Sequence, residues 1–139
     1  EGLEFEFIET DLGDAHPNTV KFIMETKKGN YCEVIGSSIG GGSIQITEVN
    51  GNKVEFTGDY PTLIISHQDV PGAVSNVTSI LYKEHINIAF MKVFRKQRGK
   101  GATMVFEVDN RLNDDVIDEI KGIDSISRVI RINPVKEEE

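Results

Sequence analysis

The sequence predicts an α+β protein in which a β-rich first part is followed by a second part with the element order β-α-β-β-α-β. Three observations support this prediction. In the first part, short apolar runs alternate with turns that contain glycine or asparagine, as expected for antiparallel strands. In the second part, two stretches carry apolar residues at helical spacing, and each follows a strand-like run. The turn-rich cluster Gly58–Pro61 separates the two parts.

The first part is predicted to consist of antiparallel strands. Leu3, Phe5 and Phe7 recur at every second position, a spacing typical of a half-buried strand. Two hairpins follow, with turns at Lys27–Asn30 and Asn50–Asn52, and the Asn-Gly pair of the second turn favours the positive φ angles of a primed turn. The hairpin strands are Val20–Thr26 with Tyr31–Ile35, and Ile44–Thr47 with Val54–Phe56. This region is too short to look complete, and we interpret it as the latter part of a larger domain.

The second part begins with a continuous apolar run, Thr62–Ser66, which suits a buried strand. Ala73–Glu84 is predicted to be a helix with one apolar face, and Pro71 stands where a first-turn proline is tolerated. The apolar face of this helix consists of Val74, Val77, Ile80 and Leu81.

Two strands, a second helix and a last strand complete the prediction. A helix begins at the N-cap Asn113 and ends at Gly122. Its apolar stripe is Val116, Ile117 and Ile120, and the strands are Ile86–Val93, Ala102–Val108 and Ile126–Ile132, before an acidic tail at 136–139. This order predicts a ferredoxin-like sandwich of a four-stranded antiparallel sheet and two helices. Its exposed sheet edge favours pairing with a second copy.

Composition excludes several classes of function. The formal net charge is −8, and the first 60 residues hold 11 acidic against 4 basic side chains, which argues against nucleic-acid binding. No apolar run approaches the roughly 20 residues that span a bilayer, so we expect a cytoplasmic protein that does not bind membranes. Cys32 is the only cysteine, so no metal site can be built from thiolates of this chain alone. We expect Cys32 to pack as a small buried hydrophobe.

Polar residues around the start of the first helix suggest a site for an amino acid. His67 and Asp69 follow a strand, and the backbone N–H groups near Gly72 and Ala73 are suited to a carboxylate. Asp69 can pair with an ammonium group, and Asn87, which precedes Ile88, offers both a donor and an acceptor. Alternatively, Asp69 only caps the helix and Asn87 only terminates a turn.

This arrangement resembles the ACT domain, a small amino-acid-binding regulatory module. The resemblance lies in the strand that ends in an acidic residue, the helix entered through Pro71-Gly72 and the Asn87-Ile88 that follows it. In ACT domains that bind serine, a His, an Asn or Asp two residues later and the Asn before Ile bind the ligand at a domain–domain interface. The resemblance therefore implies serine binding by His67, Asp69 and Asn87, with homodimerisation through this domain.

A second group of residues lies in the first part. His16-Pro17-Asn18-Thr19-Val20 precedes the first hairpin, and Gly40, Gly41 and Gly42 lie between two strands. Three successive glycines allow a backbone to pass close to a ligand or another chain. The loop lacks the spacing of phosphate-binding and dinucleotide-binding motifs, which argues against a nucleotide site. A lone His before Pro is also typical of an ordinary turn.

Together, the His-Pro-Asn-Thr-Val motif and the later Ile-Gly-Gly-Gly resemble the β chain of iron–sulfur-dependent L-serine dehydratase. There the domain before the ACT module is the allosteric substrate-binding (ASB) domain. The resemblance implies that residues 1–59 are the C-terminal part of an ASB domain and 60–135 an ACT domain. It also implies catalytic roles for His16 and Asn18, and a loop at Gly40–Gly42 that faces substrate or partner. The family's Ser-Ser-Ser-His-Thr-type motif does not occur in this sequence.

The resemblance further implies a division of labour between two chains. A separate α chain would carry the cysteines and the [4Fe-4S] cluster that converts L-serine to pyruvate and ammonia, with no metal bound by this chain. The chain would be inactive alone. Two alternatives remain open at this point. One is the ASB-ACT regulatory region of a D-3-phosphoglycerate dehydrogenase, inhibited by serine, and the other is a free-standing amino-acid sensor that dimerises.

Overall fold

Eight strands and two helices form the fold in a computed structural model, which describes residues 3–134. The first part contains β1 (Thr19–Glu25), β2 (Tyr31–Gly40), β3 (Ser43–Val49) and β4 (Asn52–Phe56). The second part contains β5 (Thr62–Gln68), α1 (Ala73–Lys83), β6 (Ile88–Arg95), β7 (Gly101–Val108), α2 (Asp114–Lys121) and β8 (Ile126–Ile132). Neither helix within residues 3–134 has the length and apolarity needed to cross a membrane.

The first sheet is a meander with the order β1-β2-β3-β4, and each strand is antiparallel to the next. Both predicted hairpins are present. Asn50 and Gly51 have φ angles of 49° and 73°, which confirms the primed turn that the Asn-Gly pair predicts. The change from the first sheet to the second falls between Phe56 and Thr62.

The second sheet has the order β6-β7-β5-β8 and is fully antiparallel, which confirms the ferredoxin-like prediction. The helices cover one face of this sheet. Their buried residues pack on side chains of β5 and β7, and the centre of this core consists of Leu63, Ile65, Val77, Leu81, Phe106 and Ile120. Asn113 caps α2 as predicted, because its side-chain oxygen accepts from the N–H of Val116 at 2.9 Å.

The first sheet packs on the opposite face of the second sheet. Val54 and Phe56 of β4 are buried against Ile64 of β5 and Val105 of β7. This contact explains why Thr62–Ser66 is apolar without alternation, because Leu63 and Ile65 face the helices while Ile64 faces β4. The second sheet is therefore covered on both faces.

Several local predictions were wrong. Leu3, Phe5 and Phe7 form no strand and are 75–92% exposed, because no strand within residues 3–134 pairs with them. Cys32 is half-buried, not buried. Pro71 precedes the helix instead of lying in its first turn, because Gly72 is the N-cap. The acidic tail at 136–139 lies outside the described residues.

The strand after α1 starts two residues later than predicted. His85 adopts a left-handed conformation with φ 56°, and the N–H of Ile86 donates to the carbonyl of Leu81 at 2.9 Å. The residues between α1 and β6 therefore close the helix, a common C-terminal arrangement. As a result, β6 extends to Arg95, close to the end of β5.

Candidate functional site

His67 is a buried side chain with an unsatisfied polar atom. It lies near the end of β5, is 5% exposed, and its Nδ1 lies 2.7 Å from the carbonyl oxygen of Gln68. A carbonyl oxygen can only accept, so Nδ1 carries the proton and Nε2 of the neutral ring is an acceptor. Nε2 has no hydrogen-bond partner within residues 3–134. A donor from a ligand would satisfy this atom.

The carboxylate of Asp69 is held by the β6–β7 hairpin. Arg95 approaches it through Nε, 2.9 Å from Oδ2, and Nη2, 3.1 Å from Oδ1. The N–H of Gly99 also donates to Oδ2 at 2.9 Å. The Gly99 N–H, together with the Arg95 guanidinium, holds the pKa of Asp69 below its usual value. An ammonium group would therefore compete with Arg95 for this carboxylate.

The start of α1 carries no side-chain cap. Gly72 is the N-cap in a left-handed conformation with φ 87°, no side chain accepts from the first turn, and this turn has no acidic residue. Asp69 therefore does not cap the helix, contrary to the alternative interpretation. The N–H of Ala73 already donates to the carbonyl of Val70 at 3.4 Å. The other N–H groups of the first turn and the helix dipole suit an anion such as a carboxylate.

Asn87 lies at the other end of the second sheet. Its Nδ2 donates to Asp109 at 2.7 Å, and the adjacent Ile88 pairs with Val108 at the end of β7. Gln68, next to Asp69, pairs with Gly101 at the start of β7. The length of β7 separates the two ends by roughly 24 Å. One copy of the chain therefore does not bring Asn87 to His67 and Asp69.

The first sheet brings His16 and Asn18 close to the end of β2. The backbone carbonyl of Asn18 accepts from the N–H of Ser38 at 2.9 Å, and Ser38 lies two residues before Gly40. Thr19 donates to the carbonyl of His16 at 2.5 Å and contacts Ser37 Oγ at 2.7 Å. His16, Asn18 and the glycine loop therefore lie at the same end of the sheet.

His16 is exposed, and a hydrogen bond defines its tautomer. The backbone N–H of Asn18 donates to its Nδ1 at 3.2 Å. When the ring is neutral, Nδ1 is therefore the acceptor and Nε2 carries the proton. In this state His16 can donate a hydrogen bond through Nε2, but it cannot take a proton there.

Gly40, Gly41 and Gly42 form the turn between β2 and β3. Their φ angles are 94°, 62° and 79°, in the region that favours glycine. A Cβ added at any of them would have no neighbour within 4 Å. The turn conformation therefore explains these glycines. They are not required by a close approach to another part of the described chain.

The sequence contains one thiol that could ligate an iron–sulfur cluster. Cys32 is the only cysteine in the sequence, and clusters of this kind are normally held by several thiolates. Within residues 3–134 there is also no group of three or more His, Cys, Asp or Glu side chains placed to hold a metal ion.

Sequence reasoning missed Arg95 as a member of the Asp69 site. The two residues are 26 positions apart, and no motif in the sequence connects them. Strands β5 and β6 both pair with β7, and their registers bring the two residues together. Arg95 pairs with Ala102, and Gln68, next to Asp69, pairs with Gly101.

Comparisons with known proteins cover both parts of the chain. Residues 61–125 match the ACT domain family model. Over 131 residues, the chain is 38% identical to a "Probable L-serine dehydratase, beta chain" of Bacillus subtilis (strain 168), covering 94% of this chain and 59% of that protein.

Two further relatives extend the comparison. The chain is 35% identical over 124 residues to an "L-serine dehydratase, beta chain" of Peptoniphilus asaccharolyticus, covering 88% of this chain and 56% of that protein. It is 33% identical over 120 residues to a D-3-phosphoglycerate dehydrogenase of Methanocaldococcus jannaschii, covering 86% of this chain but 22% of that protein. The chain thus spans less than two thirds of the length of either beta chain.

Proposed function

We propose that this chain, which carries an ACT domain at residues 61–125 and is a relative of the L-serine dehydratase beta chains, is a subunit of an L-serine ammonia-lyase. The observation that carries the proposal is the 38% identity over 94% of the chain, which includes both sheets. Within it, we assign residues up to 59 to the C-terminal part of an ASB domain and residues 60–135 to the ACT domain.

In this proposal a separate α chain carries the [4Fe-4S] cluster and the chemistry that depends on it. The word "beta chain" in the names of the relatives supports a second chain, and the single Cys32 supports placing the cluster there. The contribution of this chain is to bind and orient. His16 Nε2–H would donate to the serine carboxylate, Asn18 would hold the turn, and Gly40–Gly42 would face the α chain.

The first prediction tests this division of labour. We expect no pyruvate from L-serine when this chain is incubated alone under anaerobic, iron-reconstituting conditions, and pyruvate formation when it is co-expressed with the α chain of the same organism. Activity of this chain alone would refute the two-chain assignment. Co-purification with a dinucleotide-binding domain would favour the D-3-phosphoglycerate dehydrogenase alternative, and serine binding with no catalytic partner would favour a free-standing sensor.

The same assay tests His16. The variant His16→Ala should still co-purify with the α chain but should raise KM for serine, because it loses a donor to the carboxylate. Lys27→Ala is the control, since Lys27 is an exposed residue in the turn between β1 and β2, at the opposite end of the first sheet from His16. Equal kcat and KM for the His16 variant and wild type would show that the turn at His16 has only a structural role.

The ACT domain is proposed to bind L-serine between two copies. Three of the five exposed positions of the edge strand β6 are apolar, and the five are Phe90, Met91, Lys92, Val93 and Arg95. The exposed positions of the other edge strand, β8, are all polar or charged, namely Ser127, Arg128 and Arg131. Charged edges resist pairing and apolar edges favour it. Two β6 strands paired antiparallel about a two-fold axis would bring Asn87 at the start of one strand close to Arg95 at the end of the other.

This arrangement completes the amino-acid site. Arg95 contacts Asp69 within its own copy, so Asn87 of one copy would lie close to Asp69 of the other. The serine carboxylate would bind the N–H groups at the start of α1, and its ammonium would displace Arg95 from Asp69. The site would therefore require a homodimer.

The second prediction concerns serine binding by Asp69. L-Serine should raise the melting temperature of the wild-type protein, because a ligand that binds only the folded state stabilises it. Asp69→Ala should abolish the shift while the protein remains folded. The control Asp124→Ala removes an exposed carboxylate between α2 and β8 and should retain the shift. Absence of any heat on titration of the wild type with L-serine would leave the domain a structural adaptor.

A further inference from the structure

A pocket of about 520 Å³ lies between the two sheets, on the face of the second sheet opposite the helices. Its lining comes from β3, β4, the segment before β5, and strands β6 and β7. This volume falls within the range of about 300–1,000 Å³ that is typical of small-molecule sites. None of His16, His67, Asp69 and Asn87 lines it.

A buried carboxyl group lines this pocket. Glu107 of β7 is 7% exposed, and its Oε1 accepts from the N–H of Thr57 at 3.3 Å and from Thr57 Oγ1 at 3.4 Å. No ion pair of residues 3–134 includes Glu107, and its second oxygen accepts no hydrogen bond from them. This second oxygen retains exposed surface, so a cation that enters the pocket can reach it and form a charge-assisted hydrogen bond.

The other charged groups of the pocket leave it acidic. Lys92 is its only basic lining residue, and the Lys92 ammonium already pairs with Glu55. Asp59, like Glu107, has no ion-pair partner within residues 3–134. Two carboxyl groups therefore remain for a ligand. No three His, Cys, Asp or Glu side chains among residues 3–134 are placed to hold a metal ion, so an organic cation fits the pocket better than a metal ion.

The remaining walls are aromatic and apolar. Tyr60 and Phe90 pack edge to face, with ring centroids 5.7 Å apart, and both line the pocket. Phe56 and Val105 add apolar surface between the sheets. Aromatic rings attract cations through their faces and also bind apolar groups.

We infer that this pocket binds a small organic cation, with an ammonium group at Glu107 and an apolar body against Tyr60 and Phe90. The inference rests on the buried carboxyl group and the aromatic wall together, and it does not depend on the lyase assignment. Such a ligand would also contact both sheets, because the pocket is lined by Phe56 of β4 and Phe90 of β6.

Calorimetric titration with 2-phenylethylammonium tests the inference, and the neutral 2-phenylethanol serves as its control. The ammonium should bind at least about tenfold more tightly than the alcohol, because a hydrogen bond to a charged group contributes more than a neutral one. Glu107→Gln should weaken binding of the ammonium by a similar factor. The control Glu25→Gln, an exposed carboxylate on β1, should bind like wild type.

The stability of the Glu107 variant gives a second measurement. If the carboxyl group serves a ligand and not the fold, Glu107→Gln should melt at the same temperature as wild type or higher. A marked loss of stability would show a structural role and overturn the inference. Equal binding of the alcohol, undiminished binding by Glu107→Gln, or no binding up to the solubility limit would also overturn it. Phe90→Ala, which changes an exposed residue, should independently weaken binding.

Discussion

Replacement of Phe106 by alanine is expected to lower the free energy of unfolding by about 3–5 kcal/mol, as for other buried phenylalanines. Phe106 is completely buried in β7, a central strand, and pairs in register with Leu63 and Met91. Its ring faces the layer of the two helices. Truncation would remove apolar surface from the core and leave a cavity that neighbours on three elements cannot fill. Urea unfolding of the purified variant measures the loss.

Phe90→Ala is the matched control for this measurement. Phe90 lies on the adjacent strand of the same sheet but is 57% exposed, and its main contact is the edge-to-face pair with Tyr60. Phe90→Ala should lower the free energy of unfolding by about 1 kcal/mol. Equal losses for the two variants would contradict the described placement of the core between the second sheet and the helices.

The double variant Met91→Lys, Val93→Lys is expected to raise the dissociation constant of the proposed dimer at least about 100-fold, since the loss of central apolar contacts is compounded by like-charge repulsion. The two side chains are 46% and 45% exposed in a single copy, so the fold itself should be preserved. Light scattering over a range of protein concentrations should show the mass fall from dimer to monomer.

The control for this variant is Val20→Lys, Phe22→Lys. It makes the same chemical change on β1, the edge strand of the first sheet, at side chains that are 51% and 55% exposed. The mass should stay that of a dimer. If the control dissociates and the β6 variant does not, the copies associate through the first sheet, and the serine site between two β6 strands is wrong.

Features that depend on neighbouring residues were predictable from the sequence. Asn50-Gly51 predicted a primed turn, and Asn113 predicted a helix start, because the φ angles and the capping bond involve residues within three positions. The apolar stripes of both helices were predictable for the same reason. The order of these elements then allowed few topologies, which is why the ferredoxin-like arrangement was also predicted correctly.

Local spacing failed where an element needs a distant partner. Leu3, Phe5 and Phe7 have the alternation of a strand, but a strand forms only when another strand pairs with it. The separation of two predicted site residues also depends on the whole fold. Asn87 and Asp69 are 18 positions apart in the sequence, yet they lie at opposite ends of β7. The chain leaves the end of β5 at Asp69, and α1 carries it back along the sheet to the start of β6.

The sequence by itself determined the turns, the caps, the helical faces and the family resemblance, since each is encoded in the order of nearby side chains. Only the tertiary structure decided that Asp69 contacts Arg95 and that Glu107 is buried with no ion pair to any of residues 3–134. The first depends on the register of β5 and β6 against β7, and the second on the packing of one sheet upon the other. Both are set by the sum of many weak contacts across the fold, so no short stretch of sequence encodes them.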